Sequence, residues 1–252
     1  MILRNFLDSY LNDLLECNTF EDSVYNGLQI EGSEKISSLC TAVSISNEVI
    51  DKVELLQSDA IIVHHGYFWK KDSPAIIGIK KKQIEKLIKN NVSLFSYHLP
   101  LDCHKEIGNN ICLGKLFELD NINSCKVFNI KNLLWYGSFK ECKTYKEFID
   151  LIILKIGRIP LHIQSSNKYI KNIAWCTGAA QDLILKAYDL GVDAYISGEI
   201  SERTYYQAKD LNIHYFSCGH HATERFGIQA LGNYLQNQFP VKHYFIETFN
   251  PV

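Results

Sequence analysis

Apolar residues recur along this chain with the spacing of both helices and strands. Over residues 2–16 they lie three and four positions apart, which predicts an amphipathic opening helix. The elements predicted after it alternate between strand and helix, at 39–46, 47–56, 60–63, 76–89 and 92–97. Alternating strands and helices of these lengths indicate an α/β architecture.

The second half of the chain repeats the first. Residues 58–62 (SDAII) match 192–196 (VDAYI), and residues 91–96 (NVSLFS) match 212–217 (NIHYFS). A helical pattern precedes each matching pair in both halves. We interpret the match as two copies of one strand–helix–strand–helix–strand unit. The expected fold is therefore two pseudo-symmetric α/β lobes that face one another across a cleft.

The halves are joined by a segment with its own strand and helix signals. Residues 133–137 predict a strand and residues 144–156 a helix. We place the boundary between lobes in the stretch 120–132, which gives a first lobe at 1–125 and a second at 126–252. The C-terminal helix and strand could pack back on the first lobe.

Composition excludes several classes of protein. Charged residues make up 21% of the chain and the formal net charge is −2, which gives little support to nucleic-acid binding. The cluster Lys80–Lys82 alternates with apolar residues on a predicted helix and is interpreted as a solvated face. No apolar run approaches the roughly 20 residues of a membrane span. Eight cysteines without a C-x-x-C pair, and no export signal, favour reduced thiols in the cytoplasm.

Histidines follow two of the predicted strands in the first half. His64 and His65 end a buried apolar run, and Gly66 after them permits a turn. The loop after the next strand offers an imidazole, a carboxylate and a second imidazole, at His98, Asp102 and His104. Imidazole and carboxylate are common ligands of divalent ions. The alternative for the loop is a polar turn with a turn-forming aspartate.

The second half offers a matching set. His220 and Glu224 are four residues apart at the start of a predicted helix and would share one of its faces, with His221 beside them. Glu199 follows the end of a matched strand. Alternatively, Glu224 complements the helix dipole while a histidine caps the helix. That alternative leaves a second His-His pair unexplained.

Taken together, these groups predict a metal site. Ligands bind beyond the carboxyl ends of strands in open α/β sheets, so two facing lobes could bring all the groups into one cleft. One ion usually takes three or four protein ligands, and five or more therefore suggest two ions bridged by a carboxylate. A nitrogen and oxygen set without thiolate suits zinc, manganese or iron(II).

The motifs resemble those of the YbgI-like, Nif-three-like family, many of whose members are described as GTP cyclohydrolase 1 type 2 homologs. The strings that carry the resemblance run along the whole chain: NGLQIEG (26–32), IVHHGYFWK (62–70), HLPLD (98–102), GNN (108–110), SGE (197–199) and GHHATER (219–225). The resemblance implies a toroidal homohexamer with a dinuclear metal site facing its interior. The implied ligands are His64, His65, Asp102, His220 and Glu224.

Two functions fit this set. The first is a metal-dependent hydrolase acting on a nucleotide or related heterocycle, with Asp102 or Glu224 bridging two ions that activate water. Relatives suggest GTP cyclohydrolase activity and a link to nucleotide damage or DNA repair. The candidates for acid–base or supporting roles are His98, His104, Glu199 and His221. The second is a non-catalytic metal-binding scaffold or regulatory protein.

An aromatic run beside the first histidine pair offers a surface for substrate. Tyr67, Phe68 and Trp69 could stack on a base, while Lys70 or Lys71 could contact phosphate. The alternative, preferred for at least two of the three rings, is packing in the core or in a subunit interface.

Overall fold

The computed structural model describes all residues from 1 to 252 as a mixed α/β chain. Its strands are β1 (Ile2–Leu3), β2 (Gly27–Ile30), β3 (Lys35–Ile36), β4 (Ser38–Ser44), β5 (Ala60–His65), β6 (Ser93–Ser96), β7 (Asp120–Val127), β8 (Ile130–Thr144), β9 (Leu161–Ile163), β10 (Tyr169–Cys176), β11 (Ala194–Ser197), β12 (His214–Ser217) and β13 (Lys242–Phe245). The helices are α1 (Arg4–Leu14), α2 (Asn47–Leu55), α3 (Gly78–Lys89), α4 (Leu99–Asp102), α5 (Asn109–Leu116), α6 (Tyr145–Ile156), α7 (Ile184–Asp189), α8 (Glu202–Asp210) and α9 (His220–Gln238), with 3₁₀ turns at Cys17–Thr19 and Gln181–Leu183.

The chain divides into two compact units. The first comprises Met1–Leu101 with Gly227–Phe249, and the second comprises Asp102–Phe226 with Asn250–Val252. These bounds differ from the lobes expected at 1–125 and 126–252. The stretch 120–132, expected to separate the lobes, belongs to the second unit, where β7 pairs with β8 as an antiparallel hairpin.

The first unit is built on a five-stranded sheet with the order β13-β4-β5-β6-β2. The first four of these strands are parallel, and β2 closes the edge antiparallel to β6. Helices α2 and α3 cover one face of the sheet with a buried apolar cluster. The opening helix begins at Arg4 rather than at residue 2, because β1 pairs with β3. The predicted strand–helix–strand–helix–strand order is confirmed.

The second unit is built on a six-stranded sheet with the order β7-β8-β10-β11-β12-β9. Its strands β10, β11 and β12 are parallel and buried on both faces. Ile196 and Phe216 belong to the cluster under α5 and α6, whereas their neighbours Tyr195 and Tyr215 belong to the cluster under α7. Burial on both faces explains the continuous apolar runs Ile173–Cys176 of β10 and Ala194–Ile196 of β11, which do not alternate with polar residues.

Equivalent hydrogen bonds show that the sequence repeat is a structural repeat. Oδ2 of Asp59 accepts the backbone N–H groups of residues 37–38, and Oδ2 of Asp193 accepts those of residues 171–172. Each aspartate precedes the middle strand of its three-stranded parallel unit. Asn91 and Asn212, which precede the third strand, both adopt left-handed backbone with φ of 55° and 51°. Asparagine tolerates this conformation better than most residues. The internal repeat is therefore confirmed.

No helix in the chain combines the length and the apolar character that a membrane span requires.

Candidate metal centre

His64 and His65 lie at the carboxyl end of β5, as the sequence predicted. This strand is flanked by β4 and β6, and its apolar run is buried throughout. His64 is fully buried and His65 is half-buried. The structure explains the glycine at position 66 by a close contact and not by the expected turn. Gly66 does not adopt positive φ, but a Cβ atom there would overlap the Gln29 side chain.

Three imidazoles of the first unit lie together, because a ring nitrogen of each of His64, His65 and His98 lies within 4.8 Å of the others. The Nδ1–H of His64 donates to the Tyr97 carbonyl over 2.9 Å. Nδ1 of His65 is hydrogen-bonded to Ser44 Oγ over 2.8 Å. Since a carbonyl can only accept, Nε2 is the ring atom of His64 with a lone pair for an ion. Such partners on the far nitrogen are typical of metal-binding histidines.

Asp22 holds His98 in the same manner and was missed by the sequence analysis. The Nδ1–H of His98 donates to Asp22 Oδ1 over 2.9 Å, and the second carboxylate oxygen accepts from Asn26 Nδ2 and the Leu99 N–H. Burial acts to raise the pKa of Asp22, but the hydrogen bonds and the charge of His98 outweigh it and lower the pKa to about 2. The 76 residues between Asp22 and His98 explain why no local motif reveals the pair.

In the second unit, Asp102 ends the short helix α4 that follows β6. Its carboxylate is buried, and Oδ1 accepts a hydrogen bond from Asn109 Nδ2 over 2.9 Å. Cys176, at the end of β10, is buried nearby. Burial raises the pKa of its thiol, and the negative charges of Asp102 and Glu224 raise it further. The second unit thus holds two buried carboxylates around one strand end.

His220 begins α9, as predicted, and lies between two carboxylates. Its Nδ1–H donates to Glu199 Oε1 over 2.7 Å, and its Nε2 lies 3.1 Å from Oε2 of Glu224, four residues along the helix. Burial acts to lower the pKa of His220, but the two carboxylates outweigh it and raise the pKa to about 9. Glu199, a candidate for acid–base chemistry, therefore holds the His220 ring in place.

Gly178 is a further residue of this cluster that the sequence analysis missed. It follows β10 with φ of +68°, and its N–H donates to Thr223 Oγ1 over 3.1 Å. A Cβ atom at this position would overlap Oε1 of Glu224. Glycine is thus required both by the backbone conformation and by the close approach of the carboxylate. A lone glycine in a sequence gives no sign of such an approach.

The other two histidine candidates, His104 and His221, have contacts outside the groups described above. Nδ1 of His104 accepts the N–H groups of Glu106 and Ile107 over 3.2 and 3.3 Å, which stabilises the turn before α5. His221 is buried in the first turn of α9, and its N–H donates to the Val252 carbonyl over 3.3 Å.

The aromatic run divides between core and site. Tyr67 is buried in the apolar cluster of the first unit, and Phe68 packs against that cluster with the Lys80 ammonium over its ring. Trp69 lies with its ring centre 5.1 Å from that of His98, and its Nε1–H donates to the Gly66 carbonyl. The backbone of Lys70 is bonded to Ser23, and its side chain is exposed.

These residues fit a divalent ion. The donors are imidazole nitrogens with fixed orientation and buried carboxylates, a set that suits zinc, manganese or iron(II). The chain therefore contains groups of His, Asp and Glu side chains that could bind metal ions.

Comparison with known proteins adds to this geometry. The family described as Duf34/NIF3 (NGG1p interacting factor 3) matches residues 2–251. A protein of Allochromatium vinosum named GTP cyclohydrolase 1 type 2 homolog is 41% identical over 242 residues, which cover 96% of this chain and 94% of that protein. A protein of Vibrio cholerae with the same name is 42% identical over 248 residues and covers 98% of each. A solved structure described as protein ybgI, of unknown function, matches with a TM-score of 0.95, 36% identity and full coverage of both chains.

Proposed function

The chain belongs to the Duf34/NIF3 family, and from this premise we propose that it is a dinuclear metal-binding protein that hydrolyses a nucleotide or related heterocycle. The observation that carries the proposal is the orientation of the imidazoles. His64, His65 and His98 are each held at Nδ1, and their ring nitrogens converge within 4.8 Å. Apolar side chains would stabilise a core better than three converging imidazoles, because burying polar rings is costly.

We assign two divalent ions, of zinc, manganese or iron, to the five ligands that match the family motifs: His64, His65, Asp102, His220 and Glu224. The burial of Asp102 and Glu224 supports the assignment, because buried carboxylates are costly unless a cation or hydrogen bonds compensate their charge. Five protein ligands for two ions leave coordination positions open for water and substrate, which favours catalysis over a closed structural site.

The residues of the chain would contribute in distinct ways. Bound divalent ions supply Lewis acidity, which activates water and polarises the bond under attack. His98 donates its Nδ1 hydrogen to Asp22 and can therefore accept a proton at Nε2. Glu199 keeps the His220 ring oriented through its short hydrogen bond. Asp102 and Glu224 are the carboxylates that would hold the ions, and Glu224 also lies 3.1 Å from Nε2 of His220.

The substrate class is supported by the relatives and by the surface beside His98. Relatives about 40% identical over almost the whole chain carry the name GTP cyclohydrolase 1 type 2 homolog. The Trp69 ring lies edge-on to His98 and could stack on a heterocycle, and the exposed Lys70 could contact a phosphate. The proposal includes a role in removing damaged nucleotides, and so in DNA repair, which the family resemblance supports.

A screen of metal-loaded protein against nucleotides and pterin precursors tests this function. We expect chromatography to detect a hydrolysis product from at least one nucleotide. Glu224→Gln should lower this activity by roughly 10²-fold or more, because it removes a carboxylate ligand of the ions that stabilise the transition state. The exposed variant Asp72→Asn is the matched control. Activity that persists in Glu224→Gln would contradict the proposal, and inactivity toward the entire panel by fully metal-loaded protein would favour a non-catalytic metal scaffold.

We also propose that the chain forms a homohexamer in the cytoplasm. The family resemblance supports the assembly, and eight free cysteines support a reducing compartment. Light scattering coupled to size exclusion should give six times the 28.9 kDa chain mass.

A further inference from the structure

Two consecutive asparagines at the start of α5 are fully buried. Asn109 and Asn110 belong to the GNN string that the metal-ligand motifs do not include, and neither exposes any surface. Burying an amide without hydrogen bonds is costly, because the group loses its bonds to water. Their partners therefore indicate what these side chains do.

Both amides bind to Asp102. The side-chain N–H of Asn109 donates to the Asp102 carboxylate at Oδ1 over 2.9 Å. The side-chain N–H of Asn110 donates to the backbone carbonyl of the same residue over 3.2 Å. Asp102 ends a helix of only four residues, so its backbone has little helical support of its own. The two amides hold its carboxylate and its backbone at once.

Asn110 also joins Asp102 to the end of β10. Oδ1 of Asn110 accepts the Thr177 N–H over 3.0 Å, and the Asn110 carbonyl accepts Nε1–H of Trp175 over 2.8 Å. The Thr177 hydroxyl also donates to Asp102 Oδ1, over 3.4 Å. Position 177 is followed by Gly178, which lies against Glu224. The hydrogen-bonded network thus holds Asp102, and the backbone that continues from Thr177 packs against Glu224.

We propose that Asn109, Asn110 and Thr177 are positioning residues that hold Asp102 ready for a divalent ion. The inference rests on the proposed role of Asp102 as a ligand. Their donors are all neutral, so they orient the carboxylate without cancelling its charge. An arginine or lysine in the same place would compete with the ion. Partners of this kind typically change metal affinity by about 10- to 100-fold.

Mn²⁺ affinity of metal-free variants tests the inference by equilibrium dialysis. Asn109→Leu keeps the number and branching of the side-chain heavy atoms but removes the donor, and we expect Mn²⁺ binding about 10- to 100-fold weaker than in the wild type. Thr177→Val is nearly isosteric and should weaken binding less, because its hydrogen bond is longer. The control is Thr41→Val, a buried threonine bonded to His243 away from this network, which should bind Mn²⁺ as the wild type does.

A purely structural role would lower the unfolding temperature of the metal-free variants and leave their Mn²⁺ affinity unchanged, and that result overturns the inference. If Asn109→Leu does not fold, Thr177→Val decides the question by the same comparison. Asp102→Asn, measured in parallel, separates the two proposals. If Asp102→Asn binds Mn²⁺ as tightly as the wild type, the ligand assignment itself is contradicted. If Asp102→Asn loses Mn²⁺ affinity but Asn109→Leu and Thr177→Val keep it, only the positioning role is contradicted.

Discussion

At the scale of residues, one device recurs at the candidate site: each imidazole is fixed through Nδ1. The acceptor is a backbone carbonyl for His64 and a carboxylate for both His98 and His220. The histidines themselves could be predicted because they follow apolar strands. Glu199 was also among the predicted candidates. Asp22 and the Tyr97 carbonyl were not, since they lie 76 and 33 residues from His98 and His64 and meet them only through the registers of strands and loops.

Asp22 should make folding stability depend on pH in the acid range. Its pKa falls from an ordinary value of 3.8 to about 2 in the folded chain, so the unfolded chain binds more protons between these values. The stabilisation is fully present above pH 3.8 and is lost as the pH falls toward 2. Asp22→Asn should lower the free energy of unfolding near neutral pH by about 2 kcal/mol, because buried donors lose a charged acceptor.

Urea unfolding of metal-free protein between neutral pH and about pH 2 measures this effect, with the exposed Asp72→Asn as control. Below pH 3.8, Asp22→Asn should lose stability less steeply than the wild type. If the free energy of unfolding of Asp22→Asn falls with pH as steeply as that of the wild type, Asp22 does not contribute to the acid dependence of stability.

At the scale of elements, the repeated unit was accessible from the sequence because it depends on local order. The matched strings around Asp59 and Asp193 form equivalent turns and precede equivalent parallel strands. The pairing of strands that join a sheet from far along the chain was not accessible. The C-terminal strand was expected to be able to return to the first lobe, but no local pattern encodes the pairing of β13 with β4 or of β9 with β12.

Helix α9 offers a test at this scale, because replacing one of its glycines by alanine should destabilise the chain, whereas helix propensity predicts stabilisation. In an exposed helix, replacing glycine by alanine stabilises by up to about 1 kcal/mol. Gly232 is buried, however, and a Cβ atom there would overlap the ring of His243, which is bonded to Thr41 over 2.8 Å.

Gly232→Ala should therefore lower the free energy of unfolding by about 1–3 kcal/mol, the usual cost of overpacking. Chemical denaturation measures the change, and Asn237→Ala on the exposed side of the same helix serves as control. A stabilised Gly232→Ala variant would mean that the His243 ring moves aside without cost.

At the scale of the whole molecule, the family and the fold class were predictable because the motifs extend along almost the entire chain. The bounds of the two units were not. Helix α9 passes from the second unit to the first between Phe226 and Gly227, and β13 then joins the first sheet. The sequence suggested that the C-terminal helix and strand could pack back on the first lobe. It did not give the residues at which the chain leaves each unit, because local composition does not mark them.

The number of Mn²⁺ ions bound per chain tests the central claim most directly. Metal-free protein titrated with Mn²⁺ and followed by electron paramagnetic resonance should bind close to two ions, as expected for a dinuclear site. The double variant His64→Ala with His65→Ala should lose most of that binding, while Thr41→Val keeps it. A wild-type chain that binds no Mn²⁺, or a double variant that still binds two ions, would contradict the account.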